Sequence, residues 1–381
     1  MKYPLLLIAS APLLLFSCAP QHPKDMAAVE ELRAEFASGW KPDAQLSETA
    51  QFTEENLTLV RRAERDEPDS IQRLRLTIFR RTLTSGILFR TSRSEMKMGA
   101  LAEELDFPSV RAMLEDVYGV PFAETRALAE SALTCTDSLA RVLGTEEPPP
   151  LPSGVGHYLE SAARRGAALA TFRSMGFVPD SGALQKISSG TANQFREDLT
   201  EMGASLYQSC ITERALEFRF LGEATIAETF GHLIGGLAAN PAWMRQHLRM
   251  PVSVLKTYAR FAALDRLARI RKAAARVRAA YASAVPEDPD FWEDRFRSDP
   301  GFRELQGLRA EFIASRCDAW LRGLYGVNWY ENPDAGAALR GFWSQGGRLN
   351  AEGLMHRIGE GSPRVDAWFQ SVKDLLLLSS R

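Results

Sequence analysis

Apolar residues recur at helical spacing along almost the whole chain, and this periodicity restricts the fold more than any other feature. One clear example places apolar residues at positions i, i+3, i+4 and i+7: Val110, Met113, Leu114 and Val117. The same spacing is found within 226–237 and within 365–372. This spacing puts apolar side chains on one face of an α-helix. No stretch alternates convincingly between apolar and polar residues, so we predict an all-α fold with little or no sheet.

Helix boundaries are also marked in the sequence. Four dipeptides place a capping residue before a proline, the preferred pattern at a helix N-terminus: Asn240-Pro241, Asp288-Pro289, Asp299-Pro300 and Asn332-Pro333. Four glycines stand where helices are expected to end: Gly119, Gly144, Gly326 and Gly359. The proline-rich segment 144–154 cannot be helical. We predict that it links an N-terminal helical half, 31–143, to a C-terminal half, 155–381.

The composition excludes several classes of protein. Of the 381 residues, 45% are hydrophobic and 25% are charged, which is typical of a globular protein. The formal net charge is −2, whereas nucleic-acid-binding proteins are usually basic, so we expect no nucleic-acid partner. Four cysteines do not form a disulfide framework. We expect Cys135, Cys210 and Cys317 to be buried thiols, with one disulfide and one free thiol as the alternative.

The N-terminus has the features of a secretory signal. Lys2 precedes an apolar run over residues 5–16. As a helix this run is about 18 Å long, too short for a bilayer core of ~30 Å. We therefore predict a signal peptide rather than a transmembrane helix. The run ends in the sequence Leu-Phe-Ser-Cys at residues 15–18, which resembles the lipobox of bacterial lipoproteins.

The lipobox resemblance implies removal of residues 1–17 and acylation of Cys18, which leaves 18–30 as a lipidated cysteine and a short tether. A lipoprotein cysteine carries several acyl chains, enough for stable membrane attachment. Ala19 is not the aspartate that retains such proteins at the inner membrane. We expect a protein of the bacterial cell envelope, on the outer membrane facing the periplasm if the cell is Gram-negative. The alternative is an ordinary signal peptide with a chance cysteine.

The sequence contains no common catalytic motif, but it does contain a family resemblance. There is no G-x-S-x-G, P-loop or G-x-G-x-x-G motif, and none of the five histidines is followed by glutamate. Three stretches, 102–120, 216–243 and 324–352, nevertheless resemble the helical zinc metallopeptidases related to oligoendopeptidase F and thimet oligopeptidase. Their order and spacing extend the resemblance from residue 70 to residue 375.

In such enzymes two histidines at i and i+4 on one helix and a glutamate from the next helix hold zinc. The glutamate after the first histidine is the general base. The resemblance places this motif at 200–204, with Thr200 and Ala204 at the histidine positions. Glu201 matches the general base, and Glu228 matches the third ligand. One carboxylate, or two at best, does not hold zinc at useful affinity, so we expect no cofactor.

A second departure from the family points the same way. The family places a strand-forming, substrate-lining segment before the zinc helix, whereas 177–195 is short and shows no strand pattern. We therefore expect a non-catalytic pseudoenzyme that binds a peptide or an envelope protein. Two alternatives stay open. One is an active metallopeptidase with a rewired metal site formed by Glu201, Glu228 and His232, and the other is an envelope scaffold unrelated to peptidases.

Each candidate residue also has a purely structural interpretation. Glu201 can be an ordinary helix carboxylate, and Glu228 can pair with His232, which follows it by four residues. The stretch 265–281 is rich in basic residues: Arg266, Arg269, Arg271, Lys272, Arg276 and Arg278. We expect these to form a solvated helix face, with contact to anionic headgroups as the alternative.

Overall fold

The computed structural model describes residues 23–39, 53–91, 97–144, 150–152, 154–179, 184, 187, 192–281, 288–299 and 301–380. The signal peptide and Cys18 lie outside these ranges. Within them the chain forms seventeen α-helices and no strand, so the predicted all-α fold is confirmed. None of the helices in the described ranges is long and apolar enough to cross a membrane.

Seven helices precede the predicted zinc-site region: α1 (Pro23–Gly39), α2 (Glu54–Asp66), α3 (Ser70–Thr91), α4 (Met98–Glu104), α5 (Val110–Tyr118), α6 (Phe122–Leu143) and α7 (Ser161–Ser174). The other ten are α8 (Ala192–Cys210), α9 (Leu216–Phe220), α10 (Ala224–Gly235), α11 (Pro241–His247), α12 (Val252–Tyr281), α13 (Pro289–Ser298), α14 (Arg303–Tyr325), α15 (Pro333–Trp343), α16 (Ala351–Arg357) and α17 (Asp366–Ser380).

Capping side chains begin several of these helices, largely as predicted. Three of the four predicted caps accept hydrogen bonds from backbone N–H groups in the first turn that follows: Asn240, Asp288 and Asn332. The prediction of a helix start at Asp299-Pro300 is wrong, because α14 begins at Arg303. Phe302 adopts a left-handed φ of 55° just before the helix. Asp299 still accepts the Arg303 N–H at 3.1 Å and so caps the helix from a distance.

The helices before and after the proline-rich segment share one hydrophobic core. Helix α6, the last before the segment, packs along α12, the longest helix after it. At the start of α6, the Phe122 ring lies 4.6 Å from the Trp292 ring and 4.8 Å from the Phe302 ring, centroid to centroid. Four tryptophan side chains from the C-terminal half are fully buried in the same core: Trp243, Trp329, Trp343 and Trp368.

The six basic residues of α12 divide into a half-buried group, Arg266, Arg269 and Arg271, and an exposed group, Lys272, Arg276 and Arg278. Four of the six have carboxylate partners: Arg266 with Glu311, Arg269 with Asp265, Arg271 with Asp137 and Arg276 with Glu304. The side chain of Arg266 is only 13% exposed. The expected solvated face is therefore wrong at Arg266, whose buried partner Glu311 comes from another helix, whereas Lys272, Arg276 and Arg278 are exposed as expected.

The three cysteines in the described part of the chain are free thiols. Cys317 is buried, whereas Cys135 and Cys210 are half-buried. Burial raises the pKa of the Cys317 thiol to about 12, so this cysteine stays protonated at neutral pH and acts as a small apolar side chain.

Candidate functional site

Helices α8 and α10 carry the positions predicted for a zinc site, and they pack directly against each other. The contact is made by glycines, Gly203 in α8 and Gly231 in α10. A Cβ on Gly203 would lie 2.8 Å from the carbonyl oxygen of Phe230, and one on Gly231 would lie 2.8 Å from that of Thr200. Carbon atoms do not approach a carbonyl oxygen this closely. The two helix backbones therefore meet at a separation that only glycine permits.

Thr200 and Ala204, at the two histidine positions, fill this helix contact. The Thr200 hydroxyl donates to the carbonyl oxygen of Arg196 at 2.8 Å, and a Cβ on Gly235 would overlap that hydroxyl. The Ala204 methyl lies 3.6 Å from the place of a Cβ on Gly231. An engaged hydroxyl and a methyl group do not fit the ligand set of a zinc ion. The space that two imidazoles would need is occupied by the neighbouring helix.

The two predicted carboxylates differ in their surroundings. Glu201 is exposed on α8. Glu228 is half-buried and faces α14, where its Oε2 atom lies 3.6 Å from the place of a Cβ on Gly307. Burial raises the pKa of Glu228 to about 7, an effect that Arg303 opposes and Asp299 reinforces. Glu228 can therefore carry a proton near neutral pH.

The predicted rewired metal site does not assemble from these residues. In the part of the chain that the structure describes, no three His, Cys, Asp or Glu side chains are grouped closely enough to hold a metal ion. Glu201, Glu228 and His232 are thus not brought together. Neither a hydrogen bond nor an ion pair joins the described side chains of Glu228 and His232, and His232 Nδ1 lies against Glu311 instead. The local pairing proposed from their spacing is wrong, because His232 has another partner.

That partner is Glu311 in α14. His232 Nδ1 lies 3.2 Å from Glu311 Oε2, although the angle is outside the range of a hydrogen bond. Burial lowers the pKa of His232, so the ring is neutral at pH 7. Burial alone would raise the pKa of Glu311, but the positive charges of His232, when the ring is protonated in acid, and of Arg266 bring it down to about 2. Glu311 is therefore a carboxylate across the physiological pH range.

Arginines surround this pair. Arg266 donates to Glu311 Oε1 at 3.4 Å and to Ser371 Oγ at 3.0 Å. Arg269 is paired with Asp265, while Arg196 lies close enough to influence the pKa of both His232 and Glu311. The electrostatic effect of the arginines on His232 is to oppose its protonation, in the same direction as burial.

A cavity of about 470 Å³ adjoins this cluster, bordered by α10, α12, α14 and α17. Small-molecule sites typically measure about 300–1,000 Å³, so the cavity is of suitable size for a ligand. Its polar lining includes the buried side chains of Glu311 and Asn240 and the half-buried side chains of His232 and Arg266. Its apolar walls are formed mainly by six side chains: Leu233, Leu237, Leu255, Ala314, Leu375 and Leu378.

Of the positions predicted for a metal site, only His232 lines this cavity. Glu311 was missed because it belongs to no motif and lies far along the chain from His232. A signal was nevertheless present. Glu311 stands three residues after Leu308 and one before Phe312, both buried, so a carboxylate interrupts the apolar face of α14. A charged residue at such a position needs a buried partner.

The three stretches that resemble the metallopeptidases meet at one buried ion pair. Arg309 in α14 lies 3.2 Å from Glu223 Oε1 in the second stretch and donates to the carbonyl oxygen of Gly119 in the first. Glu223 Oε2 accepts the backbone N–H of Ala351, in the third stretch, at 3.0 Å. Burial raises the pKa of Glu223, and these partners oppose the rise. The three stretches therefore form a contiguous part of the fold.

A scan against protein-family models finds no match for this chain, and a search of the curated proteins finds no relative. The resemblance to zinc metallopeptidases therefore rests on the residues of the three stretches alone.

Proposed function

We propose that this chain is a lipid-anchored protein of the bacterial cell envelope whose metallopeptidase-like helical domain binds a peptide or protein without cleaving it. The observation that carries this proposal is the packing of Thr200 and Ala204 against the glycines of α10. Zinc hydrolases hold the metal with three protein ligands and keep one position open. Water that is not bound to a metal keeps a pKa of about 15.7 rather than about 7, and it is a poor nucleophile at neutral pH.

The meeting of the three stretches at Glu223 and Arg309 supports descent from the peptidase fold. A chance similarity of helical patterns gives no reason for these stretches to share one buried ion pair. The scaffold alternative, unrelated to peptidases, is less well supported for this reason.

The cavity beside His232 supports a binding function. It is of ligand size, it combines apolar walls with a buried polar group of side chains, and it is separate from the closed α8–α10 contact. Binding through this cavity requires neither Glu201 nor Glu228, which do not line it.

Anchoring through Cys18 rests on the lipobox resemblance. Helix α1 begins at Pro23, five residues after Cys18. Five residues extend over at most roughly 18 Å. If Cys18 is acylated, the helical domain lies close to the membrane surface, where its ligands would be envelope peptides or proteins.

Peptide hydrolysis tests the non-catalytic part of the proposal. The mature chain without its lipid is incubated with a peptide library, with and without added zinc, beside the variant Glu201→Gln. We expect no cleavage by either protein. Cleavage that disappears in Glu201→Gln would overturn the proposal and restore the peptidase assignment. Cleavage that persists in Glu201→Gln but is lost in His232→Ala would favour a rewired active site.

A further inference from the structure

The cavity beside His232 has hydrogen-bond acceptors that are already engaged by the protein. All three carboxylates in its lining accept from neighbouring side chains or lie against them: Glu311 with His232 and Arg266, Asp318 with Arg322 and Trp329, and Asp374 with Gln370. The carboxylates therefore offer little to a cationic ligand, because charged neighbours or hydrogen-bond donors already occupy them.

Two cationic side chains in the same lining, Arg245 and Lys256, are not engaged by the protein in this way. Arg245 is exposed and Lys256 is half-buried. Neither has a hydrogen-bond or ion-pair partner among the residues that the structure describes. Arg245 brings five N–H donors and Lys256 three. Free cationic donors beside an apolar cavity favour a ligand with an anionic group, since charge-assisted hydrogen bonds are stronger than neutral ones.

The polar part of the lining restricts which chemical groups the ligand can carry beside its anionic group. His232 is neutral, and the negative charge of Glu311, 3.2 Å from Nδ1, favours the tautomer that carries its proton on Nδ1, although the contact lacks hydrogen-bond geometry. In this tautomer Nε2 is an acceptor. Nδ1 is buried and has no hydrogen-bond partner, whereas Nε2 is not buried in this way. A ligand that fills the cavity should therefore offer an N–H group. The amide of a peptide does so, while the hydrocarbon chain of a fatty acid does not.

We propose that the cavity binds the C-terminal end of a peptide with apolar side chains. Lys256 and Arg245 recognise its terminal carboxylate, the leucines of the wall take its side chains, and His232 Nε2 accepts a backbone amide N–H. A cavity of about 470 Å³ takes the last few residues of a chain and not a folded domain. This inference rests on the proposed binding function and names the class of ligand.

Calorimetric titration of the mature, lipid-free protein tests this inference with two probes, N-acetyl-trileucine as the free acid and as its C-terminal amide. We expect the acid to bind at least tenfold more tightly. The double variant Lys256→Gln, Arg245→Gln should lower the affinity for the acid to that for the amide and leave the amide unaffected. Arg260→Gln is the matched control, because Arg260 is exposed one turn further along α12 and does not line the cavity.

The outcomes separate this inference from the function on which it rests. Equal binding of acid and amide would overturn the role of the carboxylate while leaving peptide binding in place. Tighter binding of laurate than of the peptide acid would overturn the peptide assignment in favour of a lipid. Failure of both peptides to bind would also overturn the inference. Cleavage of either probe during the titration would instead overturn the non-catalytic function.

Discussion

His232 Nδ1 lies 3.2 Å from Glu311 Oε2, and this contact joins α10 to α14 inside a group of buried arginines. The pair has two consequences. It sets a carboxylate against the imidazole at the cavity, and it places that carboxylate where Arg266 would otherwise be a buried cation without compensation. Glu228, one turn earlier on α10, faces Gly307 and takes no part in this arrangement.

Loss of the Glu311 carboxylate should be costly. We expect Glu311→Gln to lower the free energy of unfolding by about 3–5 kcal/mol at pH 7, because a buried ion pair loses one partner. Glu304→Gln on the same helix removes an exposed ion pair with Arg276 and should cost no more than about 1 kcal/mol. Urea denaturation of both variants measures the difference.

The cost of Glu311→Gln should depend on pH in a defined direction. The folded pKa of about 2 is below the usual value of about 4.3 in an unfolded chain. The carboxylate therefore contributes stability above pH ~4.3, and this contribution is lost as the pH falls toward 2. The gap between wild type and variant should narrow over that interval. A stability difference between wild type and variant that stays constant from pH 7 to pH 3 would contradict the low folded pKa of Glu311.

Glu228→Gln should change the free energy of unfolding in the opposite direction and stabilise the protein. The folded pKa of about 7 is above the unfolded value of about 4.3, so the wild type loses stability as the pH rises through this interval. We expect the variant to be more stable than wild type by about 1–3 kcal/mol at pH 8, with little gain from this source at pH 4. Thermal or urea unfolding at the two pH values measures it. A stability difference that is the same at both values would contradict the burial of this carboxyl group.

Placing histidines at both positions that match the zinc ligands should not create a zinc site. In Thr200→His, Ala204→His the rings would meet the glycine face of α10, and we expect a loss of at least about 1–3 kcal/mol from overpacking. Gln208→His, exposed on the same helix, is the control and should change stability by no more than about 0.5 kcal/mol. Stabilisation of the double variant by one equivalent of zinc would show that α8 and α10 can separate to admit a metal.

Mass spectrometry of the protein isolated from membranes tests the anchor. We expect an N-terminus at Cys18 carrying acyl groups, and we expect Cys18→Ser to lose this modification and leave the membrane fraction. Ala19→Asp is the companion variant, which should stay acylated but remain at the inner membrane of a Gram-negative cell. An unmodified Cys18 in the wild-type protein would show that the segment is an ordinary signal peptide.

Local features of the sequence account for the fold class and for three of the four predicted helix starts. Asn240 and Asn332 act as predicted because a capping side chain needs only the next few residues. The start of α14 differs from the prediction because its cap does not lie directly before the helix. Asp299 caps the helix, but across a turn that contains Phe302 with positive φ, and a bulky residue in that conformation leaves no signal in sequence.

The candidate site was less predictable, because periodicity identifies the buried face of a helix but not its neighbour. His232 was singled out, yet its partner Glu311 comes from a helix much later in the chain. Thr200 and Ala204 were identified as substitutes for zinc ligands. The glycines that face them are visible in the sequence, but their role depends on how α8 and α10 cross.

Zinc content is the most direct test of the central claim that the positions matching the metallopeptidase zinc ligands are closed to a metal ion. The mature, lipid-free protein is purified without chelator or affinity metal, incubated with excess zinc, desalted and analysed by elemental mass spectrometry. The packing of Thr200 and Ala204 against α10 predicts far less than one zinc ion per chain. One tightly held zinc ion per chain would contradict the claim and return the protein to the metallopeptidases.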